Sequence, residues 1–424
     1  MYPNNGLMPA RCAIFALIIL ATNALADSRV PLTITEAEDI ALSAEPGREE
    51  FLARAEALTE QSVAAGQLPD PTLRVGLANY PISGGSFSTE GMTQAQLGIR
   101  QSFPKGDSRS LSTSRLLAMA DGQNRHADAR DLDVLAATRY SWLETYYWHS
   151  AEAVLEESRP FFADLITITR SMYAVGRKTQ YDVLRAELEL ARLNDRLIEA
   201  NRAYAGAQAA LSQWLGRDAY RSPAMKLPAW DALPKLDELE RNLDSHPLLL
   251  SAGANVMAMQ ASVDLAEESR KPGWALDLGY GYRDGFLPSG EPRSDFISMS
   301  VTVDLPVSRK NRQDRKLAAA LSERSASVSN RERLAADLLS QLALQYSRWQ
   351  EQARRLALYE TEILSLSNAQ AEAAMLAYQS DTGTFSDVMN AYIDDLDTRL
   401  KYIRLQVEHT QTYASLASLG GLPR

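Results

Sequence analysis

Tyr173-Ala-Val-Gly-Arg-Lys-Thr-Gln-Tyr-Asp-Val-Leu-Arg-Ala186 returns 205 residues later as Tyr378-Gln-Ser-Asp-Thr-Gly-Thr-Phe-Ser-Asp-Val-Met-Asn-Ala391. Each copy closes a long helical pattern, breaks at a glycine-containing turn and resumes helix at once. Working outward, Ile99-Arg-Gln-Ser-Phe-Pro104 matches Val301-Thr-Val-Asp-Leu-Pro306, and Trp214-Leu-Gly216 matches Leu419-Gly-Gly421. Pro71 and Pro272 each open an apolar strand pattern, and Pro46 and Pro247 each follow a helical one begun near Leu32 and Leu236. The separation drifts only from 201 to 205 residues, in order along the chain. One unit of about 200 residues is therefore written twice.

The two units are 27–235 and 236–424, with 1–26 preceding them. Each opens with a helical stretch (about 35–66 and 236–270) and continues into a strand pair (about 72–103 and 273–305). Each then enters a long helical hairpin (about 107–216 and 309–419), in which Leu317, Leu321, Val328, Leu334, Leu338 and Leu342 show the three- and four-residue spacing. A helical rod of about 65 residues is roughly 100 Å long at 1.5 Å per residue. Such a rod needs lateral partners, which points to coiled-coil packing. Pro160 is expected to kink the first rod.

Composition narrows the class. The 424 residues are 45% hydrophobic and 23% charged, which fits neither a disordered chain nor a bundle of membrane helices. Lys+Arg number 44 against 54 Asp+Glu, a net charge of −10 that speaks against nucleic acid as a partner. Arg11, the apolar run from Ala13 to Ala21 and Ala24-Leu-Ala26 form a secretory signal peptide with cleavage expected after Ala26. The only cysteine, Cys12, precedes that apolar run, so no lipid anchor is expected from it and the mature chain has no thiol. Beyond residue 26 no segment reads as a membrane-spanning helix, so a bilayer would have to be entered by strands.

The strands carry that signal. Ile297, Met299, Val301, Val303 and Leu305 alternate with Ser298, Ser300, Thr302 and Asp304. Trp274, Leu276, Leu278, Tyr280 and Tyr282 alternate with Ala275, Asp277, Gly279 and Gly281; Ala95, Leu97 and Ile99 alternate with Gln94, Gln96, Gly98 and Arg100. One apolar and one polar face over about 10 residues fits a water-filled transmembrane barrel. It fits equally a half-buried sheet on a soluble core. Trp274, Tyr280, Tyr282 and Phe296 suit interfacial girdles, and loops 81–92 and 284–294 suit outer turns. Four strands leave two open edges, which lipid does not tolerate, so several chains must share a barrel: three give twelve strands and room for a channel.

The duplicated strand–strand–long-helix plan resembles the TolC-like outer-membrane efflux channel family, over essentially the whole mature chain. Leu32-Thr-Ile-Thr-Glu-Ala37, Tyr173-Ala-Val-Gly176 and Asp182-Val-Leu-Arg-Ala186 are similar to its motifs, and the likeness leans toward the heavy-metal and cation branch. The resemblance implies an α+β membrane protein: a homotrimer whose twelve-stranded barrel sits in outer-membrane lipid and continues as an α-helical coiled-coil tunnel through the periplasm. It also implies a periplasmic adaptor (membrane fusion) protein and an inner-membrane transporter of the resistance–nodulation–division type as partners, and no chemistry of its own. The turns Val175-Gly176-Arg177-Lys178 and Thr382-Gly383-Thr384 fall where such tunnels meet the adaptor. The constriction carries over to Asp387 and Asn390, where the family more often has a second acid. Asp182 and Tyr378 match positions that hydrogen-bond across adjacent helices to hold the gate shut, and Gly383 replaces an arginine that assists in some members. Read from the residues alone, Asp387 also fits a helix-capping role after the break.

Other chemistry is thin. His126, His149, His246 and His409 have no ligand spacing, so no metal site and no cofactor is expected. His246 precedes Pro247 and reads as a helix start. Tyr140, Trp142, Tyr146, Tyr147 and Trp148 read as packing between helices, and Met172, Met375 and Met389 as core. The leading function is a passive exit duct of a tripartite efflux system, with metal cations as one cargo class. Type I protein secretion uses the same shape, and a soluble periplasmic coiled-coil adaptor or scaffold is the alternative from another class.

Overall fold

The structure, a computed structural model, describes residues 30–230 and 232–420; the expected signal peptide and Cys12 lie outside them. The first half contains α1 (Ile34–Ala44), α2 (Pro46–Ala65), β1 (Thr72–Ala78), β2 (Gln94–Phe103), α3 (Ser108–Ala174) and α4 (Gln180–Leu215). The second contains α5 (Leu236–Asn242), α6 (Pro247–Glu268), β3 (Trp274–Tyr282), β4 (Phe296–Val303), α7 (Gln313–Leu358), α8 (Leu364–Gln379) and α9 (Phe385–Gly420). Each opening stretch, expected as one helix, is two. Pro46 and Pro247 supply the first turn of α2 and α6, where a missing N–H costs nothing, and end what precedes them. His246 caps α6 as expected, its Nδ1 accepting from the Leu248 N–H at 3.3 Å, and burial holds its pKa below the ordinary value.

The Leu32-Thr-Ile-Thr-Glu motif has a structural use. Thr33 caps α1 by accepting from the Glu36 N–H, while Leu32 pairs with the segment after α4 and its carbonyl accepts from the Trp142 indole at 3.0 Å. Nearby, Glu38 and Arg139 form an ion pair of 2.7 Å that is buried on both sides and ties α1 to α3.

α3 runs as 67 continuous helical residues through Pro160. The second rod is not its copy: a π-turn at Tyr359–Ile363 separates α7 from α8. Opposite it, the Tyr402 hydroxyl donates to Glu360 at 2.8 Å; burial and that carboxylate push the Tyr402 pKa up to about 12. The rods share cores rather than forming separate hairpins. At the turn end, Leu165 and Ile166 of α3, Leu193 and Leu197 of α4, and Val388 and Met389 of α9 form one cluster, with Met172 and Met375 packed on it. At mid-length, Trp142 and Leu143 pack with Ile34, Leu211 and Leu215. A third cluster joins Leu239, Leu249, Leu338, Leu342 and Leu416.

α6 corrects one expectation. An 18-residue window within its 22 residues reaches a mean hydropathy of 1.2, long and apolar enough to cross a bilayer by length and composition. In the fold it packs between α3 and α7, burying Leu249, Ala254, Ala258 and Val263.

The four strands form one antiparallel sheet in chain order, β1-β2-β3-β4, so β2 and β3 join the two halves. The β1–β2 and β3–β4 loops share one end of the sheet and are tied together: Arg283 Nη1 donates to Gly91 O at 3.1 Å and Arg293 Nη1 to Ser88 O at 3.1 Å. The other end joins the rods.

Candidate functional site

The register aligns all the strands face to face. Leu73, Ile99, Leu278 and Met299 form one cross-strand row, and Val75, Leu97, Tyr280 and Ile297 another. Rows of the opposite parity are polar: Thr72, Arg100, Asp277, Ser300, and Arg74, Gly98, Gly279, Ser298. No described residue covers the apolar face, on which Leu73, Val75, Leu77, Ile297 and Met299 are each more than 60% exposed. A half-buried sheet would pack this face on its own core; here it has none. Phe103 and Trp274 stack at 4.0 Å at the rod end, while Tyr282 stacks with Phe87 at the loop end. Phe296 departs from its expected girdle place. Its parity puts it opposite Gly281 on the polar face, and its ring lies 3.8 Å from the Arg283 guanidinium.

At the far end of the rods the two turns lie side by side. Thr179 caps α4 and Asp182 completes a reciprocal capping box, its Oδ2 accepting from the Thr179 N–H (3.0 Å) and hydroxyl (2.8 Å). Thr384 and Asp387 repeat it at 3.0 and 2.7 Å. Those bonds from Thr384 hold the Asp387 carboxyl below the ordinary range. Asp387 and Asn390 are both exposed, and Asp387 takes part in capping as the reciprocal partner of Thr384.

Tyr378 is fully buried, edge-on to Phe385, with the Lys178 ammonium 4.5 Å from its ring centre. Burial raises its pKa, and its hydroxyl has no hydrogen-bond partner among the described residues. Asp182 is a charged neighbour of Tyr378, but no hydrogen bond joins the two within the described residues of one chain.

Lys178 Nζ instead reaches Asp381 Oδ1 in the other turn at 3.0 Å, and this ion pair holds the Asp381 pKa low. Arg185 crosses from α4 to α9, donating to the Ser386 hydroxyl and to Asn390 Oδ1 at 3.4 Å. About three turns further along α4, Arg196 pairs with Asp397 of α9 at 2.7 Å. Sequence reasoning passed over Lys178 and Arg185 as cross-turn ties. The signal was available: Arg185 and Asn390 are equivalent positions of the repeat. Gly383 has a steric reason of its own, because a Cβ there would lie 3.0 Å from the Ala377 Cβ and 3.2 Å from its backbone.

Val175, Arg177, Thr382 and Thr384 are exposed, and Gly176 takes φ 75°. The four histidines are apart and each serves packing or capping: His126 stacks on Phe51, His149 on Tyr204 and His409 on Trp349.

No protein-family model and no curated protein matches the chain. Solved structures do. The outer-membrane channel OprN superposes with a TM-score of 0.77 at 17% identity, covering 92% of this chain and 90% of that one. The outer membrane protein VceC from Vibrio cholerae gives 0.76 at 16%, covering 91% and 96%; the transmembrane channel CusC gives 0.75 at 15%, covering 92% of each. With its uncovered apolar sheet, its polar reverse face and its paired rods, the chain has the fold of the TolC-like outer-membrane channels.

Proposed function

We propose that the chain is the outer-membrane exit duct of a tripartite efflux system. The observation that carries this is the sheet: an apolar, chargeless face with none of the described residues packed upon it, backed by a polar face. The unpaired outer edges of β1 and β4 would join those of neighbouring copies, and three copies make a closed twelve-stranded wall. The rods then extend into the periplasm as a tunnel. At their ends Val175 (70% exposed), Gly176, Arg177, Thr382 and Thr384 offer a surface for a periplasmic adaptor, which links the duct to an inner-membrane transporter of the resistance–nodulation–division type. Lys178 and Gly383 shape that end from within. Three copies of Asp387 and Asn390 facing one another would form an acidic constriction that concentrates cations and repels anions. Asp182 and Tyr378 would meet, if at all, between protomers. Metal cations are the cargo that the sequence resemblance favours. The duct does no bond-breaking chemistry; the transporter drives the flow.

The test is purification from the outer-membrane fraction, mass measurement in detergent, and single-channel recording in planar bilayers with and without Asp387→Ala. The expected result is a trimer with small, cation-selective conductance whose selectivity weakens in the variant. A water-soluble, non-conducting protein overturns the reading and leaves the scaffold alternative.

A further inference from the structure

We propose that the polar face of the sheet carries a cationic belt, centred on Arg74, that attracts anions inside the barrel. The inference rests on the duct reading. The apolar face of the four strands has no charged side chain, whereas the other face has three: Arg74, Arg100 and Asp277. They lie in adjacent rows of the ladder, and all three line the hollow of the sheet with Thr72, Gln96 and Ser300. Asp277 is already answered, since Arg100 Nη1 lies 3.9 Å from its Oδ1 and the Thr302 hydroxyl donates to its Oδ2 at 3.4 Å. Arg74 is exposed and has no carboxylate within ion-pair distance among the described residues. Its row partners are Gly98, Gly279 and Ser298, so no bulky or charged side chain blocks its guanidinium from the hollow. Within the strands the face therefore carries one uncompensated positive charge per chain, Asp304 of the same parity lying beyond β4 at the rod end.

Closure multiplies that charge. Twelve strands about 4.8 Å apart and tilted about 40° make a wall roughly 24 Å across. Arginines reaching about 6 Å inward from it stand about 10 Å apart, close to one Debye length at physiological salt, so their fields reinforce at the axis. Arginine rings are one way in which pores favour anions and phosphate, and the guanidinium fork matches phosphate and carboxylate oxygens. The barrel would thus favour the sign opposite to that of the acidic constriction at the tips, with polyvalent anions retained and free cations repelled.

The experiment uses the full-length channel in planar bilayers in symmetrical potassium chloride, with inorganic pyrophosphate added to each side in turn. From the loop side, pyrophosphate should block the wild-type current in a voltage-dependent way. The half-blocking concentration should rise about tenfold in Arg74→Ala and in Arg74→Gln, with Arg74→Lys between them. A reversal-potential measurement in a salt gradient should move toward cations in the two neutral variants. Conducting channels with the same block and reversal potential in all four proteins overturn the belt and leave the duct standing. Failure of the wild type to conduct overturns the duct and the belt with it.

Discussion

Gly176 in the first turn and Asp381 in the second occupy equivalent places and share the left-handed conformation, at φ 75° and 62°. Their backbones close the same way: Gly176 and Asp381 donate to the carbonyls of Tyr173 and Tyr378, and Arg177 and Thr382 to those of Met172 and Ala377. Both turns end in a Thr–Asp capping box. The side chains around them have diverged. Tyr173 is exposed and Tyr378 buried; Gln180 is exposed and Phe385 buried. Lys178 stands where the second turn has Gly383, and it reaches over to Asp381. Duplication thus kept what bends the chain and changed what decides which turn lies inside. An aspartate tolerates the left-handed region better than most side chains, and here its carboxylate gains a partner by being there.

The largest break in this pairing should come from Phe385→Ala, which removes a core ring at the start of α9 and should cost about 3–5 kcal/mol. Gln180→Ala, the matching change in the first turn, should stay within about 0.5 kcal/mol. Thermal unfolding in detergent reads both, and equal shifts would abolish the inside–outside distinction. Next, Gly176→Ala should cost about 1–2 kcal/mol from backbone conformation, since no atom lies within 4 Å of the added Cβ. Asp381→Gly relieves the same strain while losing the Lys178 ion pair, so its net shift should be the smaller one; a loss matching that of Gly176→Ala would show that the ion pair dominates.

Thr179→Ala and Thr384→Ala should each cost about 1 kcal/mol. Amide exchange at Asp182 and Asp387 should accelerate to the same extent, and a marked inequality would show that the two boxes are not equivalent. The smallest effect is acid loosening. The carboxyls of Asp381 and Asp387 have depressed pKa values, the first through Lys178 and the second through Thr384. A carboxylate with a lowered folded pKa stabilises above its unfolded pKa and loses that contribution as pH falls through the folded one. The turns should therefore hold through the ordinary carboxylate range and loosen below it, as read by amide exchange. Lys178→Met should remove the part due to Asp381 and leave that of Asp387.

The fold was largely legible because its determinants are periodic. Alternation from Ile297 to Leu305 and from Trp274 to Tyr282 set the two sheet faces, and five ordered self-matches set the duplication. The break at Pro46 was visible as a proline but read as punctuation rather than as a helix start, whereas His246 before Pro247 marked the start of α6. Phe296 was misplaced because aromatic character outweighed parity. At the turns, residue positions were readable and their partners were not. Lys178 finds Asp381 203 residues away and Arg185 finds Ser386 201 residues away, and no local pattern encodes such a distance. Only the internal repeat brings those positions into correspondence.

The π-turn at Tyr359–Ile363 bears on how such a chain can change its length. From Pro306 to Tyr378 the second rod holds three residues more than the first holds from Pro104 to Tyr173. Three residues fall short of one 3.6-residue turn, so a plain insertion would rotate every later side chain off its partner. A stretch wound with i→i+5 bonds alters the angular phase without interrupting the rod. It works as a vernier between two ends with fixed demands: the strands dictate where the rod begins, the shared turn core dictates which side chains face inward, and the wide turn absorbs the mismatch. Length variation in this fold should be sought along the rod around such a site, and not at either end.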